Sequence, residues 1–154
     1  ERTAAFIRRG YTFPVFEQAV RDLRAAGLDV IVHVILFLPG ETQEDMYQTI
    51  RQLNRMDIQG IKLQLLHILK GTDLAGFYES HPFFIPCMED YFRVLGGCLG
   101  MLRPDIVIHR LTGDGPKELL IAPLWTGNKR YVLNQFHAYL KRQHIWQGRS
   151  YIHV

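Results

Sequence analysis

Cysteine is scarce in this sequence, which has only Cys87 and Cys98 among 154 residues. Their separation matches neither the spacing of zinc ligands nor that of iron–sulfur ligands. A disulfide framework is not expected either, because nothing in the sequence indicates secretion. We therefore predict two ordinary reduced thiols and assign no metal-ligand set to this chain.

Long apolar runs are also absent. The longest have the length of a strand, and none approaches the roughly 18–20 residues that cross a bilayer. No signal-peptide pattern, internal repeat or low-complexity segment is visible. We expect no membrane partner and a cytoplasmic location. The composition, 47% hydrophobic and 21% charged, is that of a globular domain.

Charge of one sign is not in large excess, since the formal net charge is only +3. Three local basic pairs occur, namely Arg8-Arg9, Lys129-Arg130 and Lys141-Arg142. A solvated surface explains such pairs more simply than a polyanion site does. No Ser, Cys or paired carboxylates stand in an arrangement typical of catalysis, so residue types alone assign no reaction.

The most informative stretch that the sequence does contain is residues 29–42. Its Val- and Ile-rich first part is typical of a strand buried on both faces. Pro39 has no N–H to donate and ends the strand, Gly40 permits a tight turn, and Thr42 begins a helix. The turn follows the carboxyl end of a buried strand, where α/β folds bind ligands. It could hold an anion beside Glu41, although a loop that merely turns the chain is at least as consistent with the pattern.

Amphipathic helices flank this strand. Residues 14–26 form the first, which ends at Gly27. Its apolar face consists of Val15, Phe16, Ala19, Val20 and Leu23. Thr42 and Asp45 resemble a capping box for the second, whose buried stripe consists of Met46, Ile50, Leu53 and Met56. Residues 61–65 alternate like an edge strand, and the order of elements predicts a right-handed βαβ unit with parallel strands.

The second half of the chain is less regular. The pattern predicts a helix over 87–102, a strand over 105–111, a turn over 112–116, an apolar segment over 118–122 and a last helix over 128–145. We divide the chain into βα units over residues 1–79 and a C-terminal extension over residues 80–154 that packs on the same sheet.

Two further groups are candidates for chemistry. His33, His67 and His109 lie at or near predicted strand ends, but structural roles are favoured over a shared metal site. Residues 110–117 hold two glycines, an Asp and flanking cations, which could form a backbone nest for a phosphate or carboxylate. A hairpin turn is the favoured alternative for that segment.

Several longer motifs carry a family resemblance. They are Ile7-Arg-Arg-Gly-Tyr-Thr12, residues 30–42, Gly60-Ile-Lys-Leu-Gln-Leu-Leu-His-Ile-Leu-Lys-Gly-Thr72, Ile108-His-Arg-Leu-Thr-Gly-Asp-Gly-Pro-Lys117, and Leu120-Ile-Ala-Pro-Leu-Trp125 with Asn128-Lys129. Together they resemble the second half of radical S-adenosylmethionine (SAM) proteins. The nearest likeness is to an uncharacterised bacterial family of iron–sulfur oxidoreductases, close to the elongator catalytic subunit and coproporphyrinogen dehydrogenase. The resemblance covers nearly all of the chain.

This resemblance implies an α/β fold, namely the C-terminal portion of a partial TIM-like barrel with parallel strands and an α+β C-terminal extension. Radical SAM proteins bind a [4Fe–4S] cluster through a Cys-x3-Cys-x2-Cys loop, and the cluster cleaves SAM to a 5′-deoxyadenosyl radical. This sequence has no such loop. The resemblance therefore implies the C-terminal fragment of a larger oxidoreductase or transferase, with neither cofactor bound to the fragment and no activity of its own.

The same resemblance implies which residues lie on the SAM side of the barrel. They are Leu36, Pro39, Gly40, Glu41, Leu66, His67 and Arg9. The sequence departs from the family pattern at Tyr11, where His is usual, and at Phe37, where Gly is usual. A bulky ring at residue 37 is expected to alter the packing of SAM. Residues 110–117 and 125–129 receive no role from the resemblance, although they could face the substrate.

Two expectations concern partners. The substrate, a small molecule or RNA, is not assigned, and a non-catalytic RNA-binding module is the alternative function, which a basic face along the last helix would favour. A barrel without its first strands leaves an unpaired strand edge. The isolated chain is therefore expected to form a homodimer through that edge or to cover it with its C-terminal segment.

Overall fold

The structure is a computed structural model that describes residues 2–113 and 115–152. Its helices are α1 (Arg2–Phe6), α2 (Phe13–Ala25), α3 (Gln43–Asn54), α4 (Asp73–Ser80), α5 (Met88–Met101) and α6 (Lys129–Arg142), with a 3-10 turn at Leu124–Gly127. Its strands are β1 (Ile31–Leu36), β2 (Gly60–Leu65), β3 (Ile68–Leu69), β4 (Val107–Arg110) and β5 (Leu120–Ala122). The helices α2, α3, α5 and α6 and the strands β1, β2 and β4 follow the order that the hydrophobic pattern predicts, and several are shorter than predicted.

A parallel sheet with the strand order β1-β2-β4 is the centre of the fold. β1 pairs with β2 from Ile31 opposite Gly60 to Leu36 opposite Leu65, and β4 pairs with the other side of β2. The predicted α/β class and the parallel arrangement are confirmed. The prediction that residues 61–65 form an edge strand is wrong, because β4 from the second half of the chain covers that side. The alternation of these residues instead reflects a sheet with one buried and one more open face.

The buried face of the sheet packs against α3 and α5. It consists of Val32, Val34 and Leu36 from β1 and of Ile61, Leu63 and Leu65 from β2. The predicted stripe of α3 is confirmed, since Met46, Ile50 and Leu53 are buried. Gly97 allows close packing of α5 on α3, because a Cβ at this position would lie only 2.1 Å from Tyr47 Oη.

The other face of β1 is open. Ile31 is 44% exposed and His33 is also exposed, so the prediction of burial on both faces is wrong. The predicted apolar face of α2 is similarly uncovered, because Val15 and Leu23 are 56% and 43% exposed and only Val20 of that face is buried. These side chains therefore remain substantially exposed among the described residues.

The C-terminal segment packs on the end of α5. The N–H of Gly148 donates to the carbonyl of Leu99 at 3.2 Å, and that of Ser150 donates to the carbonyl of Gly100 at 2.8 Å. This placement differs from the alternative in which the C-terminal segment covers the edge of β1. No helix in the described part of the chain is both long enough and apolar enough to span a membrane.

Both cysteines are free, as the sequence predicts. Cys87 is exposed at the start of α5, whereas Cys98 is buried, and burial raises the pKa of its thiol to about 12. A thiol reacts as the thiolate. We therefore expect a disulfide reagent at pH 8 to modify one thiol per folded chain and two per chain in denaturant, and Cys87→Ser to abolish only the fast reaction. Fast modification of both thiols in the folded protein would contradict this prediction.

Candidate functional site

The turn after β1 is built by local hydrogen bonds. Phe37 has a φ of 64°, in the left-handed region that glycine adopts more readily than other residues. Its backbone N–H donates to Met46 Sδ at 3.2 Å. Gly40 has a φ of 80°, and the N–H of Glu41 donates to the carbonyl of Leu38 at 3.0 Å. The chain thus turns from the strand into α3 within a few residues.

The N-terminus of α3 is capped by the chain itself. The N–H of Asp45 donates to Thr42 Oγ1 at 3.2 Å, and the N–H of Thr42 donates to Asp45 Oδ2 at 2.8 Å, so the predicted capping box is confirmed. The hydrogen bond from the Thr42 hydroxyl lowers the pKa of Asp45. Because Glu41 adds a second carboxylate here, the geometry favours the simple turn over an anion site at this helix end.

A cavity of about 720 Å³ lies along the edge of β1 that does not face β2, between α1, α2 and α3. Four of the residues predicted to face SAM line it, namely Arg9, Leu36, Gly40 and Glu41. Burial raises the pKa of the Glu41 carboxyl, although a hydrogen bond from Thr3 acts in the opposite direction. The cavity thus combines an apolar strand wall with a half-buried carboxyl group and a guanidinium group.

The Pro39-Gly40 corner also borders a second cavity, of about 380 Å³, between α1 and α4. Its wall is aromatic, since Phe6, Phe77 and Phe83 all contribute to it. Phe37 lines neither cavity, because its ring is buried and its centroid lies 6.3 Å from that of Tyr91. The effect of the Phe37 ring on the packing of SAM stays a prediction.

Leu66 and His67 follow the carboxyl end of β2. The N–H of Leu66 donates to the carbonyl of Leu36 at 3.0 Å, which joins this loop to the end of β1. His67 does not reach the cavity beside β1. It packs instead against Gly113 and Gly115, where added Cβ atoms would lie 2.5 Å from its Cε1 and 3.1 Å from its Nδ1. His67 therefore lines a different cavity from Arg9, Leu36, Gly40 and Glu41.

A third cavity, of about 260 Å³, lies beside His67. Its lining is His67, Gly115, Lys117, Leu120, Thr126, Gly127, Asn128, Lys129 and Arg130. The two segments to which the sequence assigned no role, 110–117 and 125–129, therefore meet at one place, with Asp114 outside the described residues. Sequence reasoning missed this convergence, although the glycine-rich turn and the basic pair Lys129-Arg130 were its visible signals.

The open face of the sheet carries basic side chains beside the exposed apolar residues Ile31 and Val107. His33 lies opposite Lys62, and Lys62 lies opposite Arg110 on β4. His109 contributes to the same face, because a Cβ on Gly60 would lie 2.6 Å from its Nε2. The sequences of β1, β2 and β4 contain no acidic residue. This face could therefore contact polar or anionic groups of a ligand.

The three histidines considered for a metal site do not share a centre, since His67 lines the third cavity whereas His33 and His109 belong to the sheet face. Across the part of the chain that the structure describes, no group of three His, Cys, Asp or Glu side chains is placed to hold a metal ion.

The last helix carries an exposed basic face. Arg130, His137 and Lys141 are exposed and recur at spacings of about two and one helical turns, so they lie on one side of α6. Beyond the helix, the guanidinium of Arg149 lies 5.3 Å from the centre of the Trp146 ring. Residues 119–154 contain no Asp or Glu.

These features define an α/β protein with ligand-sized cavities around one parallel sheet. The Radical_SAM C-terminal domain matches residues 58–142, and the chain belongs to this radical SAM family. It is 37% identical over 151 residues to the uncharacterized protein YtqA of Bacillus subtilis, and 32% identical over 150 residues to protein YhcC of Escherichia coli.

The chain spans about half the length of these curated relatives. The alignment with YtqA covers 98% of this chain and 47% of YtqA, and that with YhcC covers 97% and 48%. The structure resembles that of Methanocaldococcus infernus Elp3 with an N-terminal deletion, with a TM-score of 0.80 at 15% identity over 95% of this chain and 34% of Elp3. At that identity the likeness concerns the fold alone.

Proposed function

We propose that this chain is the C-terminal part of a radical SAM iron–sulfur enzyme and forms part of the wall that faces SAM and the substrate. The observation that carries the proposal is a parallel sheet of family-typical sequence in which, among the described residues, the β1 edge is unpaired and one face is open. Such a sheet is suited to be the last part of a partial barrel that earlier strands of a longer chain complete.

The residues of this chain fit the two cofactors unequally. Cys87 and Cys98 cannot supply a three-cysteine loop, so the cluster belongs to another part of the proposed parent. The end of the cavity next to the carboxyl end of β1 offers apolar surface at Leu36 and a half-buried carboxyl at Glu41, which suit an adenine ring and an amino group. The rest of the cavity follows the strand edge, where a preceding strand of the parent would lie. When bound to its cluster, SAM supplies a 5′-deoxyadenosyl radical. This chain would contribute binding and orientation.

The test uses the full-length parent, reconstituted anaerobically with iron, sulfide and a reductant. We expect the full-length protein to show the visible absorption of a [4Fe–4S] cluster and to form 5′-deoxyadenosine from SAM. The isolated chain, treated in the same way, serves as the control and should give neither. A full-length protein with no cluster absorption and no 5′-deoxyadenosine would overturn the proposal.

RNA binding is a second candidate function, favoured by the exposed basic face of α6. Cationic side chains that bind RNA release counterions, so replacing a cation that binds a phosphate lowers the salt dependence of binding. The double variant Arg130→Ala/Lys141→Ala, which removes two cations of that face, should weaken binding of a structured RNA and reduce the slope of log Kd against log salt by about 1–2. Binding that is absent, or that does not change with salt, would remove this candidate.

We further propose that a second copy of the chain occupies the edge of β1 when the chain is isolated. In the proposed parent, a preceding strand would occupy that edge.

A further inference from the structure

We propose that the open face of the parallel sheet binds an oxyanionic group of the substrate, a phosphate or a carboxylate. The inference rests on the proposed function and deepens it, because it gives the unassigned substrate a chemical class. It is carried by four basic side chains that cross the three strands of the sheet and are called the basic band below, namely His33, Lys62, His109 and Arg110.

The pairing of the strands fixes the row of side chains. Paired residues of neighbouring parallel strands direct their side chains to the same face, and His33, Lys62 and Arg110 are paired in succession. The neighbours of Lys62 in β2, Ile61 and Leu63, are fully buried on the opposite face, which packs against α3 and α5. Since neighbouring strands lie about 4.8 Å apart, the row is about 10 Å wide, which suits one small group contacted from both sides.

A bulge in β4 adds His109 to this row. The register shifts between Ile61 and Lys62, so that the consecutive residues His109 and Arg110 both lie towards the open face. The imidazole of His109 occupies the space over Gly60, where a Cβ would lie 2.6 Å from its Nε2. Bulges that redirect a side chain are common next to active sites, and a glycine inside a strand marks a close approach. The basic band therefore depends on two local departures from a regular sheet.

The charges of the basic band have no counter-charge among the described residues. None of its four side chains forms an ion pair there, and β1, β2 and β4 contain no Asp or Glu. Lys62 and Arg110 are partly buried, so each loses part of its hydration without gaining a partner. Like charges at paired positions also repel each other, and an oxyanion between them would offset both costs.

The depth of the basic band favours the substrate over SAM as its occupant. His33 and Lys62 lie three residues before Leu36 and Leu65, which places them about 10 Å from the carboxyl end of the strands. The turn assigned to SAM, at Gly40, lies beyond that end. A ligand that reaches the basic band would therefore lie deeper in the proposed barrel than the cofactor.

The borders of the basic band limit the size of its ligand. Ile31 and Val107 are exposed on its amino side, and Ile35 lies on its carboxyl side. The face therefore offers charge to a single group and apolar surface around it. This arrangement fits a small oxyanionic substrate better than a nucleic-acid backbone, which needs cations along a continuous path.

The first test measures binding of inorganic phosphate to this chain at about 150 mM NaCl, where charges more than about 8 Å apart are largely screened. In ¹H–¹⁵N spectra, phosphate should shift the amide signals of the basic band in a saturable manner. The double variant Lys62→Ala/Arg110→Ala should raise the Kd at least about tenfold, since it removes two charge-assisted hydrogen bonds. The matched control Lys141→Ala/Arg142→Ala removes the same residue types from α6 and should change the Kd less than about twofold.

A further variant separates the arrangement of the basic band from its charge. Gly60→Ala keeps every charge and displaces the imidazole of His109, so the Kd for phosphate should rise about threefold or more, the effect of losing one hydrogen bond. Spectra without phosphate verify folding, and His109→Ala replaces Gly60→Ala if that variant does not fold. Equal weakening by the two double variants would overturn the inference, as would a Kd that neither Gly60→Ala nor His109→Ala changes.

The second test uses the reconstituted full-length parent, with inorganic phosphate and SAM but without reductant. We expect phosphate to bind, Lys62→Ala/Arg110→Ala to raise its Kd at least about tenfold, and SAM to change that Kd less than about twofold. A parent that binds no phosphate would indicate that its other half neutralises the basic band, and competition by SAM would indicate that the cofactor carboxylate occupies it. Either result overturns the inference. The proposed function fails by a different result, the absence of 5′-deoxyadenosine once reductant is added, so the two failures are distinguishable.

Discussion

Replacing Arg103 by alanine is expected to lower the free energy of unfolding by about 3 kcal/mol, because three backbone carbonyls each lose a hydrogen bond from a charged group. Arg103 Nη1 donates to the carbonyls of Asn54 and Met56 at 2.8 and 3.0 Å, and Nη2 donates to that of Ile58 at 3.3 Å. These carbonyls belong to the connection from α3 to β2. The Arg103 side chain, which follows α5, therefore fixes the loop that leads into the central strand β2.

Urea denaturation monitored by circular dichroism measures this loss, and Arg93→Ala is the matched control. Arg93 is an exposed partner of Asp90 within α5, and such ion pairs contribute little, so its replacement should change stability by less than about 0.5 kcal/mol. A second measurement follows Asp105, whose pKa Arg103 lowers through a hydrogen bond. In Arg103→Ala the pKa of Asp105 should rise towards its ordinary value. A stability loss no larger than that of Arg93→Ala would contradict the prediction.

The sequence predicted the elements near the first strand well because their signals are local. The run of β-branched residues before Pro39, the cap formed by Thr42 and Asp45, and the stripe of α3 each depend on neighbours within a few residues. Parallel pairing of β1 with β2 also followed from the order of elements. These features needed no knowledge of the rest of the chain.

The errors concern what packs on each element. The alternation of residues 61–65 predicts an edge strand, but β4 pairs with this strand from more than 40 residues further along the chain. Val15 and Leu23 have the spacing of a buried face and are nevertheless exposed. Periodicity indicates which side chains could be buried together, whereas the covering element decides whether they are.

The candidate site also contains residues whose location the sequence predicted and one residue whose location depends on a distant segment. Arg9, Leu36, Gly40 and Glu41 meet around one cavity, as the resemblance implied, and their assignment to SAM remains a prediction. His67 was grouped with them because it follows the next strand, yet the turn containing Gly113 and Gly115 holds it in another cavity. A contact over such a separation along the chain leaves no local pattern that a single sequence could reveal.

The isolated chain is expected to form a dimer in which the β1 edges of two copies pair. The carbonyls of Val30 and Leu36 accept hydrogen bonds from the chain that includes β2. Alternate residues of a strand direct their backbone groups to opposite sides, so Ile31, His33 and Ile35 direct theirs to the unpaired edge. A row of free donors and acceptors in a strand pairs readily with another strand.

The variant His33→Pro tests this dimer, because proline removes one N–H from the free edge and leaves the hydrogen bonds to β2 in place. Sedimentation should give a dimer for the wild-type chain and a 17.9 kDa monomer for His33→Pro. His33→Thr is the matched control, since it removes the imidazole and keeps the N–H, and it should remain dimeric. A monomeric wild-type chain at about 100 μM, which would imply a pairing free energy weaker than roughly −5.5 kcal/mol, would contradict the prediction. So would a folded His33→Pro variant that still dimerises. In the proposed parent a preceding strand would cover these same backbone groups, so the edge pairing should disappear there even though residues 31–35 are unchanged.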